Sequence, residues 1–142
     1  MKQIKGKISV IIPAFNEADL IAESLNETIR VFEEFGCKYE LIVVDDGSKD
    51  NTYGNALKAA EGHPNVIVRQ IKHNRGKGRA LKVGFRLASG DYIVFLDADM
   101  ELHPAQVGTL FDIMRLDDAD VVIGSKLHPN SRLNYPLDRR IV

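Results

Sequence analysis

The chain has 142 residues, of which 44% are hydrophobic and 27% charged, and a net charge of −1. That is the composition of one ordinary soluble domain, long enough to bury a core without covalent staples. The near-neutral balance argues against nucleic acid as a partner, the single Cys37 excludes an internal disulfide and fits a reducing compartment, and no stretch approaches the roughly 20 apolar residues needed to span a bilayer.

The N-terminus lacks the long apolar segment of a signal peptide. Ile8-Ser9-Val10-Ile11-Ile12 is β-branched and stopped by Pro13, so it predicts a first strand. Asn16 is a candidate helix cap, and Ile21, Leu25, Thr28, Ile29 and Phe32 then recur at helical spacing. Leu41-Ile42-Val43-Val44 predicts a second strand, closed by Asp45-Asp46-Gly47-Ser48. Ser48, Asp50 and Asn51 are candidate caps for the next helix, and Val66-Ile67-Val68 predicts a third strand before a basic loop. Ala80, Gly84, Leu87 and Ala88 form a helical stripe, followed by strand Tyr92–Leu96, stopped by Asp97. Pro104 suits a first helical turn before Val107, Leu110, Phe111 and Met114, and Val121-Val122-Ile123 predicts a fifth strand ended by Gly124. Apolar runs without alternation imply strands buried on both faces. The βαβαβαβαβ order therefore predicts an open α/β sheet with right-handed crossovers, whose ligands bind beyond the C-terminal strand ends.

The polar motifs all fall at those ends. Asp97 and Asp99 would share a face of an extended segment, where two carboxylates repel unless a cation joins them. Mg²⁺ or Mn²⁺ suits such oxygen ligands together with substrate phosphates, and Glu101 could add a third oxygen. The bland alternative is a solvated acidic turn. Asp45-Asp46 is a second pair, and one of the two can face the crevice to accept hydrogen bonds from a base N–H or a ribose hydroxyl. Glu17, at the end of Pro13-Ala14-Phe15-Asn16-Glu17, serves a helix N-terminus or reaches a ribose hydroxyl. Residues 1–71 carry a net −3 and residues 72–142 a net +2. The basic part is concentrated in Lys72–Arg86, which has six cations and no acid. Within it, His73-Asn74-Arg75-Gly76-Lys77-Gly78 leads into a helix, and its backbone N–H groups and side chains favour phosphates, unless the run is merely a solvated face. It matches neither the P-loop nor the dinucleotide G-x-G-x-x-G spacing.

Four segments, in order and spacing, resemble family 2 of the glycosyltransferases, which share the GT-A fold. They are Val10-Ile11-Ile12-Pro13-Ala14-Phe15-Asn16-Glu17, Val43-Val44-Asp45-Asp46-Gly47-Ser48, Asn74-Arg75-Gly76-Lys77-Gly78 and Gly90-Asp91-Tyr92-Ile93-Val94-Phe95-Leu96-Asp97-Ala98-Asp99. The resemblance implies a Rossmann-like, open, mostly parallel sheet flanked by helices, and an inverting transfer from a UDP- or GDP-hexose. It implies that Pro13, Phe15, Glu17 and Asp46 hold the nucleoside and that Arg75 and Lys77 sit near the base or diphosphate. Asp97 would lie near the ribose and diphosphate, with Asp99 and Glu101, and Asp97 beside them, at Mg²⁺ or Mn²⁺.

The tail Ala119–Lys126 and Tyr135–Arg140 resembles the dolichyl- or polyprenyl-phosphate sugar synthases of that family. There, an arginine after Gly-Ser and a later arginine meet phosphates. Here Lys126 takes the first place, keeping the charge but losing the bidentate fork, and Arg139 or Arg140 takes the second. Asp97, Asp99, Lys126 and Arg140 are then the candidate catalytic residues. Residues 1–142 are expected to be the nucleotide-sugar-binding part of a longer protein, at the cytoplasmic face of a membrane, with acceptor and membrane contacts beyond residue 142. Two rival expectations are a transferase acting on a glycan, lipid or protein hydroxyl, which needs a further catalytic acid, and a non-catalytic nucleotide-sensing module.

Overall fold

In the computed structural model, residues 4–125 are described, and the chain divides into two units, residues 1–109 and 110–142. The first four apolar runs all form strands: β1 (Lys7–Ala14), β2 (Lys38–Asp45), β3 (Val66–Gln70) and β4 (Tyr92–Phe95). They make one parallel sheet in the order β3-β2-β1-β4. The helices are α1 (Ile21–Phe35), α2 (Thr52–Ala60), α3 (Lys77–Leu87) and α4 (Gln106–Leu116).

Parallel pairing on both sides explains the lack of alternation in β1 and β2. Ile11, Ile42 and Val44 pack with Ala80 of α3. The intervening Ile8, Val10, Ile12, Leu41 and Val43 face the other way and are just as fully buried. The crossovers β1-α1-β2 and β2-α2-β3 step in one direction along the sheet, and β3-α3-β4 steps back past β1. Right-handedness then places α1 and α2 on one face and α3 on the other. The strand order reverses between β1 and β4, which is where an open sheet of this kind parts to form a crevice. Gly84 lets α3 come close to β1, because a Cβ there would run into the Ile11 side chain.

Some local readings need correction. Asn16 does not cap α1: it stands five residues before the helix in the left-handed region, φ 51°. The cap candidates for α2 divide their work, since Asn51 occupies the cap position but turns its side-chain amide to Asn55 Oδ1 at 2.9 Å, while Asp50 accepts the Thr52 N–H at 3.0 Å. Pro104 lies two residues before α4, where its carbonyl accepts the Val107 N–H at 3.0 Å. In the second unit, the fifth strand expected at residues 121–123 is not formed, and Val121 and Ile123 are 73% and 81% exposed. β-Branched residues favour strands only where a neighbouring strand gives them a pleated surface to pack on, and no described ladder reaches them. Among the described residues, no helix is long and apolar enough to cross a membrane.

The edge of the sheet at the N-terminal strand ends is latched by Glu40. Its carboxylate accepts hydrogen bonds from Lys7 Nζ at 2.7 Å, Ser9 Oγ at 2.6 Å and the Ser89 N–H at 2.7 Å, tying β1, β2 and the turn before β4 together. Burial pushes its pKa up, but these donors outweigh burial and hold it at about 2. A carboxyl held below its ordinary 4.5 stabilises the fold fully above that pH, and the contribution is lost as pH falls from about 4.5 towards 2. Glu40→Gln is expected to remove about 2–3 kcal/mol at pH 7. It should also flatten the acid limb of a plot of urea-unfolding free energy against pH.

Candidate functional site

Register brings the strand ends together. Ala14 pairs with Asp45, Asp45 pairs with Gln70, and β4 leaves the sheet just after Phe95 pairs with Ile11. The loops that follow enclose a cavity of about 310 Å³ lined by Pro13, Ala14, Phe15 and Glu17 after β1 and Asp46 after β2. Asn74, Gly76, Lys77 and Ala80 line it around the start of α3, and Asp97, Ala98 and Asp99 after β4. The volume lies at the small end of the range for small-molecule sites.

The β1 loop is held by the β2 loop. The Asn16 N–H donates to Ser48 Oγ at 2.9 Å, and Asn16 Oδ1 accepts the Lys49 N–H at 2.9 Å. The Glu17 N–H donates to Thr52 Oγ1 at 2.8 Å, and the Ala18 N–H to Asp50 Oδ2 at 3.2 Å. The polar run Ser48, Asp50 and Thr52 thus fixes Glu17 at the cavity wall. This role was missed in the sequence, where Ser48 and Asp50 read as caps for the helix after them and Thr52 was not singled out. Phe15 is 43% exposed, an apolar surface on the wall.

The two aspartates after β2 do different jobs. Asp45 is fully buried and takes the Ser48 hydroxyl and Gln70 Nε2, the latter at 3.0 Å, so it closes the turn. Asp46 lines the cavity but spends both oxygens on the basic loop: Oδ1 accepts the Arg75 N–H and Oδ2 the Gly76 N–H, each at 2.9 Å. Those two N–H groups were expected to face phosphate; they face Asp46 instead, because a buried carboxylate needs donors more than a solvated anion does. Gly47 makes the approach possible. It has φ 69°, and a Cβ there would lie 2.5 Å from the Asn74 nitrogen. Arg75 meets the site through its backbone; its exposed side chain is not part of the wall, while Lys77 is.

Lys77 ion-pairs with Asp97 across the cavity. Asp99 accepts the Glu101 N–H at 3.0 Å, and Glu101 itself lies exposed outside the wall. Between them Met100 has φ 59°, a conformation that costs a non-glycine residue about 1–2 kcal/mol. The acids converge electrostatically on Glu17, whose pKa is raised by burial first and then by Asp99, Asp50 and Asp97. Such a group of repelling carboxylates fits a hard divalent cation. Among the described residues no three acids, histidines or cysteines are gathered to hold a metal alone. Asp97 and Asp99 would be the holders, with waters and substrate phosphates completing the shell, as Mg²⁺-type ions commonly bind. Lys126, Arg139 and Arg140 lie outside the described residues.

A parallel sheet with acids and a basic helix start gathered in the crevice at its switch point has the architecture of the GT-A glycosyltransferase fold. Residues 9–137 match glycosyl transferase family 2, and the chain belongs to that family. It is 32% identical over 137 residues to a dolichol-phosphate mannosyltransferase of Pyrococcus furiosus, covering 96% of this chain and 38% of that protein. A mannosyltransferase from Pyrobaculum calidifontis in complex with GDP-Man and Mn²⁺ is similar in structure, with a TM-score of 0.58 at 33% identity over 68% of this chain and 28% of that one. Glucosyl-3-phosphoglycerate synthase from Mycobacterium tuberculosis, in complex with Mn²⁺, UDP and glucosyl-3-phosphoglycerate, gives 0.63 at 30% identity over 78% of this chain and 40% of that one. The chain therefore spans about two fifths or less of the length of these relatives.

Proposed function

We propose that this chain binds the donor, a UDP- or GDP-hexose, with Mg²⁺ or Mn²⁺. The protein it serves would transfer the hexose, with inversion, to a polyprenyl phosphate at the cytoplasmic face of a membrane. The observation that carries the donor reading is the opposition of Asp97, Asp99 and Glu17 to Lys77 across one cavity at the switch point of the sheet. Pro13, Phe15, Glu17 and Asp46 would hold the nucleoside, and Lys77 would exchange Asp97 for a diphosphate oxygen. Bound at Asp97 and Asp99, with Glu101 within reach, the cation would supply Lewis-acid stabilisation to the departing nucleoside diphosphate.

The acceptor reading is supported by the mannosyltransferase relative, whose name carries dolichol phosphate, and by the tail residues Lys126 and Arg140. A phosphate acceptor is already an anion at neutral pH and needs little help from a general base. The likeness to a synthase named for glucosyl-3-phosphoglycerate keeps a non-lipid acceptor as the second reading. Calorimetric titration with UDP-glucose and GDP-mannose, with and without Mn²⁺, tests the donor step. Binding of one nucleotide sugar that strengthens at least tenfold with Mn²⁺ is the expected result; no metal-linked binding of either would overturn it.

A further inference from the structure

We propose that His103 is a positioning residue: by hydrogen-bonding α1 it sets the pose of the loop that carries Asp97 and Asp99. The proposal rests on the donor reading for its functional meaning and on separate geometry for its substance. His103 is not part of the donor cavity. It lies in a groove along α1 with Glu23, Asn26, Glu27, Arg30 and Met100.

The partners of the imidazole fix its tautomer. Nδ1 accepts the Ala105 N–H at 3.1 Å, so that nitrogen carries no proton. The proton is then on Nε2, which lies 3.0 Å from Glu27 Oε1 and donates to it. The acceptor is fixed beforehand on a rigid element. Arg30 grips Glu27 with Nε to Oε2 at 2.9 Å and Nη2 to Oε1 at 2.6 Å, and also reaches Glu34 at 2.6 Å. These charged donors hold the Glu27 carboxyl below its ordinary range and keep it an anion. His103 stands four positions after Asp99, and the strained Met100 lies between them. A left-handed residue in a loop persists only where its surroundings hold it. The loop is held on one side by the Asp99–Glu101 turn and on the other by the bond to α1. Removing side chains that orient metal ligands typically costs about 10–100-fold in metal affinity.

The two bonds of His103 can be separated by substitution. His103→Gln keeps a donor where Nε2 stands, and His103→Asn keeps an acceptor where Nδ1 stands. Positioning through α1 predicts that His103→Ala and His103→Asn weaken Mn²⁺ binding in the presence of GDP or UDP about tenfold. His103→Gln should stay near wild type. In the metal-free chain, hydrogen exchange should show the Glu101 amide losing protection in the first two variants and keeping it in the third. Glu27→Ala, at a partly exposed position of α1, should give the same loss, and combining it with His103→Ala should add nothing. The reverse ranking, with Asn rescuing and Gln failing, would show that His103 only caps the start of α4 and would overturn the proposal; so would additive losses. Absence of Mn²⁺ binding in the wild-type chain would refute the donor reading, and the exchange ranking would still decide the role of His103.

Discussion

Asp99→Ala is expected to abolish metal-dependent donor binding while leaving the fold intact. Asp99 is exposed on a loop, and its described hydrogen bond is the one from the Glu101 N–H. Losing a solvent-exposed bond of that kind costs about 1 kcal/mol or less. The binding loss is larger, because one of the two carboxylates that would hold the cation disappears and nothing replaces its negative charge. A drop on the order of 100-fold, about 3 kcal/mol, is expected in calorimetry with Mn²⁺ and GDP-mannose or UDP-glucose. Asp99→Asn, which keeps the shape and an acceptor, should lose nearly as much. A second readout needs no metal: Asp99 raises the Glu17 pKa, so NMR titration of Glu17 should show it fall towards its ordinary value in Asp99→Ala. Unchanged donor affinity would remove Asp99 from the site.

Asp46→Ala has the next largest effect, and a different signature. Asp46 is 3% exposed and is the acceptor for two backbone N–H groups of the basic loop. Removing it leaves the Arg75 N–H without that acceptor and the Gly76 N–H with only Asn74 Oδ1 at 3.2 Å, where an orphaned buried N–H costs about 1–3 kcal/mol, less where water enters. A net loss of about 3 kcal/mol, or roughly 10 °C in melting temperature, is expected. Donor affinity should fall with it, because the loop also places Lys77. Asp46→Asn should be intermediate, since its amide can accept one N–H but not two. If Asp46 served the nucleotide alone, Asp46→Ala would weaken binding and leave the melting temperature unchanged.

Much of the frame was legible because periodicity reports burial. Ile8–Ile12, interrupted only by Ser9, and Leu41–Val44 are apolar without alternation because helices cover both faces of the sheet, and that pattern needs no tertiary knowledge. The site was legible to the level of which loops meet, since parallel strands deliver all their C-terminal ends to one edge. The assignment of individual atoms was not. Asp45 and Asp46 look alike as a dipeptide; pairing of Asp45 with Ala14 and Gln70 sends one into the turn and the other to the loop at Arg75. Asn16 obeyed a local capping rule and lost to a tertiary one, because Ser48 and Lys49 offered its backbone and side chain better partners. Val121–Ile123 had the right residues for a strand and no ladder to join. His103 carried no motif at all, since its meaning lies in Glu27, 76 positions earlier in the chain.

The Glu40 latch has a practical consequence. It sits near the start of β2, while Asp46 follows the end of that strand six residues later. At about 3.3 Å per residue the two are roughly 20 Å apart along the strand, beyond the range where substitutions usually couple. One rim of the sheet thus holds a partly buried ionic knot and the other holds the proposed donor site. Hardening the knot, for instance with a better-matched cation at position 7, should raise heat tolerance without the loss of function that usually follows when a binding site is stiffened. The scaffold is therefore suited to directed evolution: stability can be built in at one rim first, then spent on new donor specificity at the other.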